Sequence, residues 1–226
     1  MLTTMNRLSL FWSTDRSLSV FLGLLLVAVF IVLPLAEQEG MLIASVGFSV
    51  LLVSGVALVA KNRMTRGLVA GAAGVALIIH WTQHVVPGTG LSMMSAFSSL
   101  CFLGILAGVV FREVLNKGPI TLHRVQGAVA VYLLLGLIWA FAYDMVLLSA
   151  PDAFHSSELT VQHKTVTPPL IYFSVMTLTT VGYGDITPIH PMARALAMLE
   201  AVIGQLFPVI LIARLVAMEL QFGNSR

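Results

Sequence analysis

Apolar residues fall into six blocks, 18–36, 41–60, 67–81, 91–111, 125–148 and 191–220, with most charged residues at the joints between them. Crossing hydrocarbon takes about twenty apolar residues at a rise of roughly 1.5 Å each. Each block is therefore predicted as a membrane-crossing helix. The joints differ in kind. Glu37, Gln38, Glu39 and Gly40 make a tight acidic turn, Lys61, Arg63 and Arg66 a basic one, and residues 112–124 a polar connection long enough for an interfacial helix. The third block is rich in glycine and alanine, which allows close helix packing, and its end is blurred by His80, Trp81, Gln83, His84 and Pro87. Residues 1–17 read as a polar lead and 221–226 as a tail.

Between the fifth and sixth blocks the pattern changes. Residues 149–167 carry prolines, serines and charges and are expected to form an exposed loop. Residues 168–178 are apolar again but about half the length a crossing needs. Pro168 and Pro169 suit the first positions of a helix, where a missing N–H leaves nothing unpaired. The stretch is thus predicted as a short re-entrant helix. It runs into Thr179, Thr180, Val181, Gly182, Tyr183, Gly184 and Asp185. Glycine adopts left-handed backbone angles without steric cost, so Gly182 and Gly184 alternating with Val181 and Tyr183 let successive carbonyls face one side. Non-helical backbone at membrane depth survives only inside protein or along a water-filled path.

The run Thr180, Val181, Gly182, Tyr183, Gly184 resembles the selectivity filter of the potassium channel superfamily, of the bacterial type with six spans and one pore loop. The resemblance covers this run, the helix before it and the helix after it. It implies that four chains surround one axis. It also implies that carbonyls of Thr180, Val181, Gly182 and Tyr183, with the Thr180 hydroxyl, replace the water around K⁺, while Asp185 anchors the filter from its outer end. Two further positions fit. Gly204 lies nineteen residues beyond Asp185, where the inner helix of simple potassium channels carries a glycine hinge, and Arg194 stands where a basic residue is common. Tyr172 and Phe173 take the place of an aromatic pair that is usually two tryptophans.

Composition agrees with the block pattern: 58% hydrophobic and 10% charged residues lie outside the soluble norm of about half and a quarter. A net charge of +2 gives no reason to expect a nucleic acid partner. Lys and Arg gather in short cytoplasmic loops. With six crossings and both termini inside, ten of the twelve basic residues are cytoplasmic, and only Lys164 and Arg194 lie outside. The expected site is a cell membrane, and the expected partners are the lipid bilayer, K⁺ and three further copies. A voltage sensor needs several basic residues in the fourth span, each worth roughly 2.3 kcal/mol per 100 mV. Residues 91–111 contain none, so the pore is expected to respond weakly to voltage.

The last block carries further candidates. Glu200 is ionisable at membrane depth and therefore a functional candidate, expected behind the filter with the Ser174 or Thr177 hydroxyl as partner. Gln205 should line a water-filled cavity. Pro208 removes the donor that would pair with the Gly204 carbonyl and weakens the same turn, with a gate expected near Ile212, Val216 and Leu220. His80, His84, His155, His163 and His190 are expected in external loops without metal-ligand spacing. Cys101 has no partner in the chain for a disulfide. There is no nucleophile–base pair, paired carboxylates or phosphate loop, so neither an enzyme nor a cofactor is expected. The expected fold is an all-α membrane protein. Its parts are a cytoplasmic segment 1–17, a four-helix domain 18–111 in the voltage-sensor position, a cytoplasmic linker 112–124, a pore domain 125–220 and a tail 221–226.

Overall fold

The computed structural model describes residues 16–32, 35, 41–58, 63–86, 88–115, 122–156 and 168–223. The turn 37–40, Lys61, Pro87, Lys117 to Pro119, His163, Lys164, residues 1–15 and residues 224–226 lie outside them. The regular structure of the described residues is helical apart from one small sheet. Its helices are α1 (Arg16–Val27, continued by a wider π turn, Ala28–Val32), α2 (Met41–Leu58), α3 (Arg63–Val85), α4 (Thr89–Val114), α5 (Leu122–Ser149), α6 (Pro168–Leu178) and α7 (Pro191–Gly223). Strands β1 (Phe154–His155) and β2 (Thr187–Pro188) pair antiparallel, with Phe154 opposite Pro188.

Among the described residues, four helices contain stretches long and apolar enough to cross a membrane: Met64–Gln83, Thr89–Val114, Arg124–Ser149 and Pro191–Ala217. Within the described residues the apolar parts of α1 and α2, Leu18–Val32 and Ser45–Ala57, are shorter. Of the six expected spans, four thus have crossing length here.

Side-chain spacing accounts for the boundaries the block pattern misplaced. Val69, Ala73, Ala76, His80 and Gln83 are all buried and recur at helical spacing on one stripe, which carries α3 past Trp81 to Val85. His80 is therefore not in an external loop. Its ring sits 5.2 Å from that of Phe48, and its Nδ1 is 3.3 Å from Gln83 Nε2. In α4 the buried stripe Ala96, Ser99, Leu103, Leu106, Val110 and Val114 runs past the exposed Arg112. Since α5 starts at Leu122, the joint is shorter than residues 112–124 and leaves 115–121 between the two helices. The region 149–167 also has buried parts. Ala153 and Phe154 are covered, and the Ala153 carbonyl accepts from Ile189 N–H at 2.8 Å and His190 N–H at 3.1 Å.

One core joins α1 to α5, with Phe21, Leu25, Leu52, Phe102, Leu106 and Leu134 at its centre. A second lies between α5, α6 and the start of α7, around Tyr143, Phe154, Leu170, Phe173 and Ile186. Its rings meet edge to face, Tyr143 to Phe173 at 5.0 Å and Phe154 to Phe173 at 5.4 Å. Such pairs contribute about 0.5–1.5 kcal/mol beyond area burial. This wedge fixes α6 against α5, and α6 positions the loop that follows.

Candidate functional site

Helix α6 begins at Pro168 and Pro169, as the capping preference of proline requires, and its last turn holds the loop. Thr179 N–H donates to the Val175 carbonyl at 3.0 Å and Thr180 N–H to Thr177 at 2.9 Å. Val181 and Gly182 N–H both reach the Met176 carbonyl, at 2.9 and 3.2 Å. Four successive backbone donors are thereby turned back to the helix. The C-terminal end of α6, where the helix dipole is negative and cations are favoured, lies directly under the loop.

The backbone of the loop alternates. Thr180, Gly182 and Gly184 have φ of +60°, +56° and +83°, while Val181 and Tyr183 do not enter the left-handed region. The two glycines are where the sequence predicts them. Thr180 is not a glycine, and a β-branched residue held there costs roughly 1–3 kcal/mol. The hydrogen bonds of residues 179–182 into α6 hold it in place. In the single chain residues 179–185 are exposed, Tyr183 at 73%.

Asp185 closes the loop. Its Oδ2 accepts from the Tyr172 hydroxyl at 2.7 Å, and its Oδ1 from Ile186 N–H at 3.0 Å. The Tyr172 hydroxyl holds the Asp185 carboxyl below its ordinary range. Tyr172 and Phe173 divide the work. Tyr172 is exposed and braces the loop from outside, while Phe173 is buried in the aromatic wedge.

Glu200 is fully buried. Its Oε1 is 2.5 Å from Ser174 Oγ and its Oε2 is 2.5 Å from the Tyr143 hydroxyl. Of the two partners the sequence offers, Ser174 and Thr177, the first is in place; Tyr143, on α5, was not among them. One turn further along α7, Gly204 lies so close to α6 that an added Cβ would overlap the Leu178 carbonyl oxygen. Pro208 sits inside an α7 that runs unbroken from Pro191 to Gly223, and it cannot donate to the Gly204 carbonyl. The Tyr132 hydroxyl reaches that carbonyl at 3.5 Å and the Leu178 carbonyl at 3.0 Å. Gln205 is exposed.

These elements, from α5 to α7, coincide with the match to a family model described as "Ion channel", which covers residues 128–220. Protein LctB of Bacillus caldotenax is 30% identical over 125 residues, which is 51% of this chain and 92% of that protein. Potassium channel K1 of Plasmodium berghei is 35% identical over 69 residues, 30% of this chain but only 3% of that much longer protein. The chain belongs to the potassium channel superfamily. No solved structure matches it.

Most of the channel's predicted site residues converge on one place. Thr180 to Asp185, Tyr172, Glu200 and Gly204 all lie on or against α6 and its loop. Arg194 Nε donates to the Pro188 carbonyl at 3.1 Å and ties α7 to β2. The two residues missed are Tyr132 and Tyr143. They stand eleven residues apart, three helical turns, in a span whose residues between them are all apolar. A tyrosine hydroxyl at that depth needs a partner, and that was the available signal.

Proposed function

We propose that the chain is one subunit of a homotetrameric, K⁺-selective channel in the cell membrane. The observation that carries this reading is the alternation of left-handed angles at Thr180, Gly182 and Gly184, which lets backbone carbonyls line up on one side. In this reading carbonyls of Thr180, Val181, Gly182 and Tyr183 and the Thr180 hydroxyl bind the ion, and Gly184 lets the chain turn away towards Asp185. One loop per chain requires four chains. Six helices cross, counting α1 and α2, and the segments flanking α1 and α7 are cytoplasmic. Helices α1 to α4 form a domain in the voltage-sensor position, without gating charges. Residues 89–111 of α4 contain no Lys or Arg, so open probability changes little with voltage. Gln205 lines the cavity below the filter, and the turn from Gly204 to Pro208 is where α7 bends.

The purified protein in liposomes tests this. K⁺ and Rb⁺ should pass far faster than Na⁺, and Ba²⁺, similar in size to K⁺ but doubly charged, should block. Equal K⁺ and Na⁺ flux would indicate a poorly selective cation channel. Absence of flux in correctly assembled protein would favour a non-conducting scaffold or the membrane subunit of a potassium transporter.

A further inference from the structure

Protons at Glu200 can be counted. Ser174 Oγ is 2.7 Å from the Gly136 carbonyl and 2.5 Å from Glu200 Oε1. A carbonyl only accepts, so the single Ser174 proton is directed at Gly136. Tyr143 gives its one proton to Glu200 Oε2. The contact between Ser174 Oγ and Glu200 Oε1 then has no donor unless Glu200 supplies it. Three contacts need three protons, and Tyr143, Ser174 and a protonated Glu200 provide three. With an ionised Glu200 two lone-pair oxygens would face each other at hydrogen-bond distance. The fully buried carboxyl also has two uncharged hydroxyls as its partners, and an ionised carboxylate without a cation is costly in such a place.

We propose that Glu200 is a neutral carboxylic acid that donates to Ser174, and that this proton positions the pore helix. The chain of bonds runs from Tyr143 on α5 to Glu200 on α7, to Ser174 on α6 and back to Gly136 on α5. It ties the three helices together directly behind the filter. Glu200 is thus a positioning residue acting through α6, whose last turn holds residues 179–182. Its role at the filter rests on the channel reading; its protonation state does not.

Isotope-edited infrared spectra of the reconstituted protein at neutral pH test the protonation directly. The expected result is a protonated-carboxyl band that is present in the wild type and absent in Glu200→Gln. A wild-type carboxylate band lost in that variant would overturn the proposal, whatever the protein conducts. Potassium-over-sodium flux ratios then test the positioning. Glutamine can donate from its amide to Ser174 and accept from Tyr143, so Glu200→Gln should stay within about twofold of wild type. Glu200→Leu removes both bonds and should lower the ratio about tenfold. A Gln variant as impaired as the Leu variant would show that negative charge is required, and an unimpaired Leu variant that the bonds do not matter; either overturns the proposal. If Glu200→Leu does not assemble, Ser174→Ala removes the middle bond with little change in volume. It should lower the ratio, and an unchanged ratio would contradict the account.

Discussion

The outer helix α5 and the inner helix α7 carry spans of nearly equal length, yet half of the apolar window in α5 is buried against its own chain and only 17% of that in α7. α5 is enclosed by α1, α4, α6 and α7. α7 touches its own chain along one stripe, with Ala193, Glu200, Gly204 and Leu211 covered, and leaves Met198, Val202, Leu206, Val209, Ile212 and Val216 exposed. Lipid would satisfy such a face, but lipid does not explain why the exposed loop 179–185 lies beside it. The proposed ring of copies around an axis would account for both. In that proposal α5 holds α6 from behind, and α7 contributes to the assembly. The second role needs a face that the chain itself does not cover.

The largest effect should come from the loop. Gly184 has φ of +83°, so Gly184→Ala disfavours the required angle and should abolish flux while the tetramer still forms on size-exclusion chromatography. Mixing mutant and wild-type chains equally sharpens this. If one mutant subunit inactivates a ring of four, about one sixteenth of the wild-type flux should remain. Half the flux would mean that each chain conducts alone.

Next in size is the crossing of α6 and α7. The expectation of a glycine hinge changes in meaning here, because Gly204 is also the point where α7 passes the Leu178 carbonyl. Gly204→Ala should therefore destabilise the tetramer by about 1–3 kcal/mol through overpacking, read as a lower melting temperature, and should disturb the pore helix. Pro208→Ala adds a backbone donor for the Gly204 carbonyl without adding bulk at the crossing. It should alter open and closed dwell times in single-channel recordings and leave ion preference unchanged. Equal effects of the two variants would remove the distinction.

A smaller effect is expected at Tyr172. Tyr172→Phe removes the hydrogen bond to Asp185, and conduction should decay faster during sustained recording. The pH dependence follows from the sign of the shift. With the Asp185 carboxyl held below its ordinary value, the brace is complete above that value and is lost only as pH falls through the lowered one. Acidifying the outer side to about pH 5 should thus leave the brace intact. Loss of conduction in wild type over that range but not in Asp185→Asn would contradict it.

The left-handed turns at Gly182 and Gly184 were legible in the chain because glycine placement is a backbone requirement that needs no tertiary context. The left-handed Thr180 was not, since its hydrogen bonds into α6 create that angle. The apolar blocks located α5, α6 and α7 to within a few residues. They misjudged the ends of α3 and α4, where buried stripes continue through His80 and Gln83 and, beyond the exposed Arg112, at Val114, because a polar residue on a helix says nothing about where the helix stops. For Glu200 the sequence narrowed the partner to Ser174 or Thr177, and the structure selects Ser174. Tyr143 and Tyr132 could not, because their partners lie 57 and 46 residues away in sequence.

The most direct test of the account is the reversal potential of single channels in a planar bilayer, with K⁺ on one side and an equal concentration of Na⁺ on the other. A filter of stacked carbonyls predicts a large potential of the sign that opposes K⁺ flow, with no resolvable inward Na⁺ current. A reversal near zero would contradict it, because the loop would then conduct without the carbonyl geometry that its alternating backbone implies.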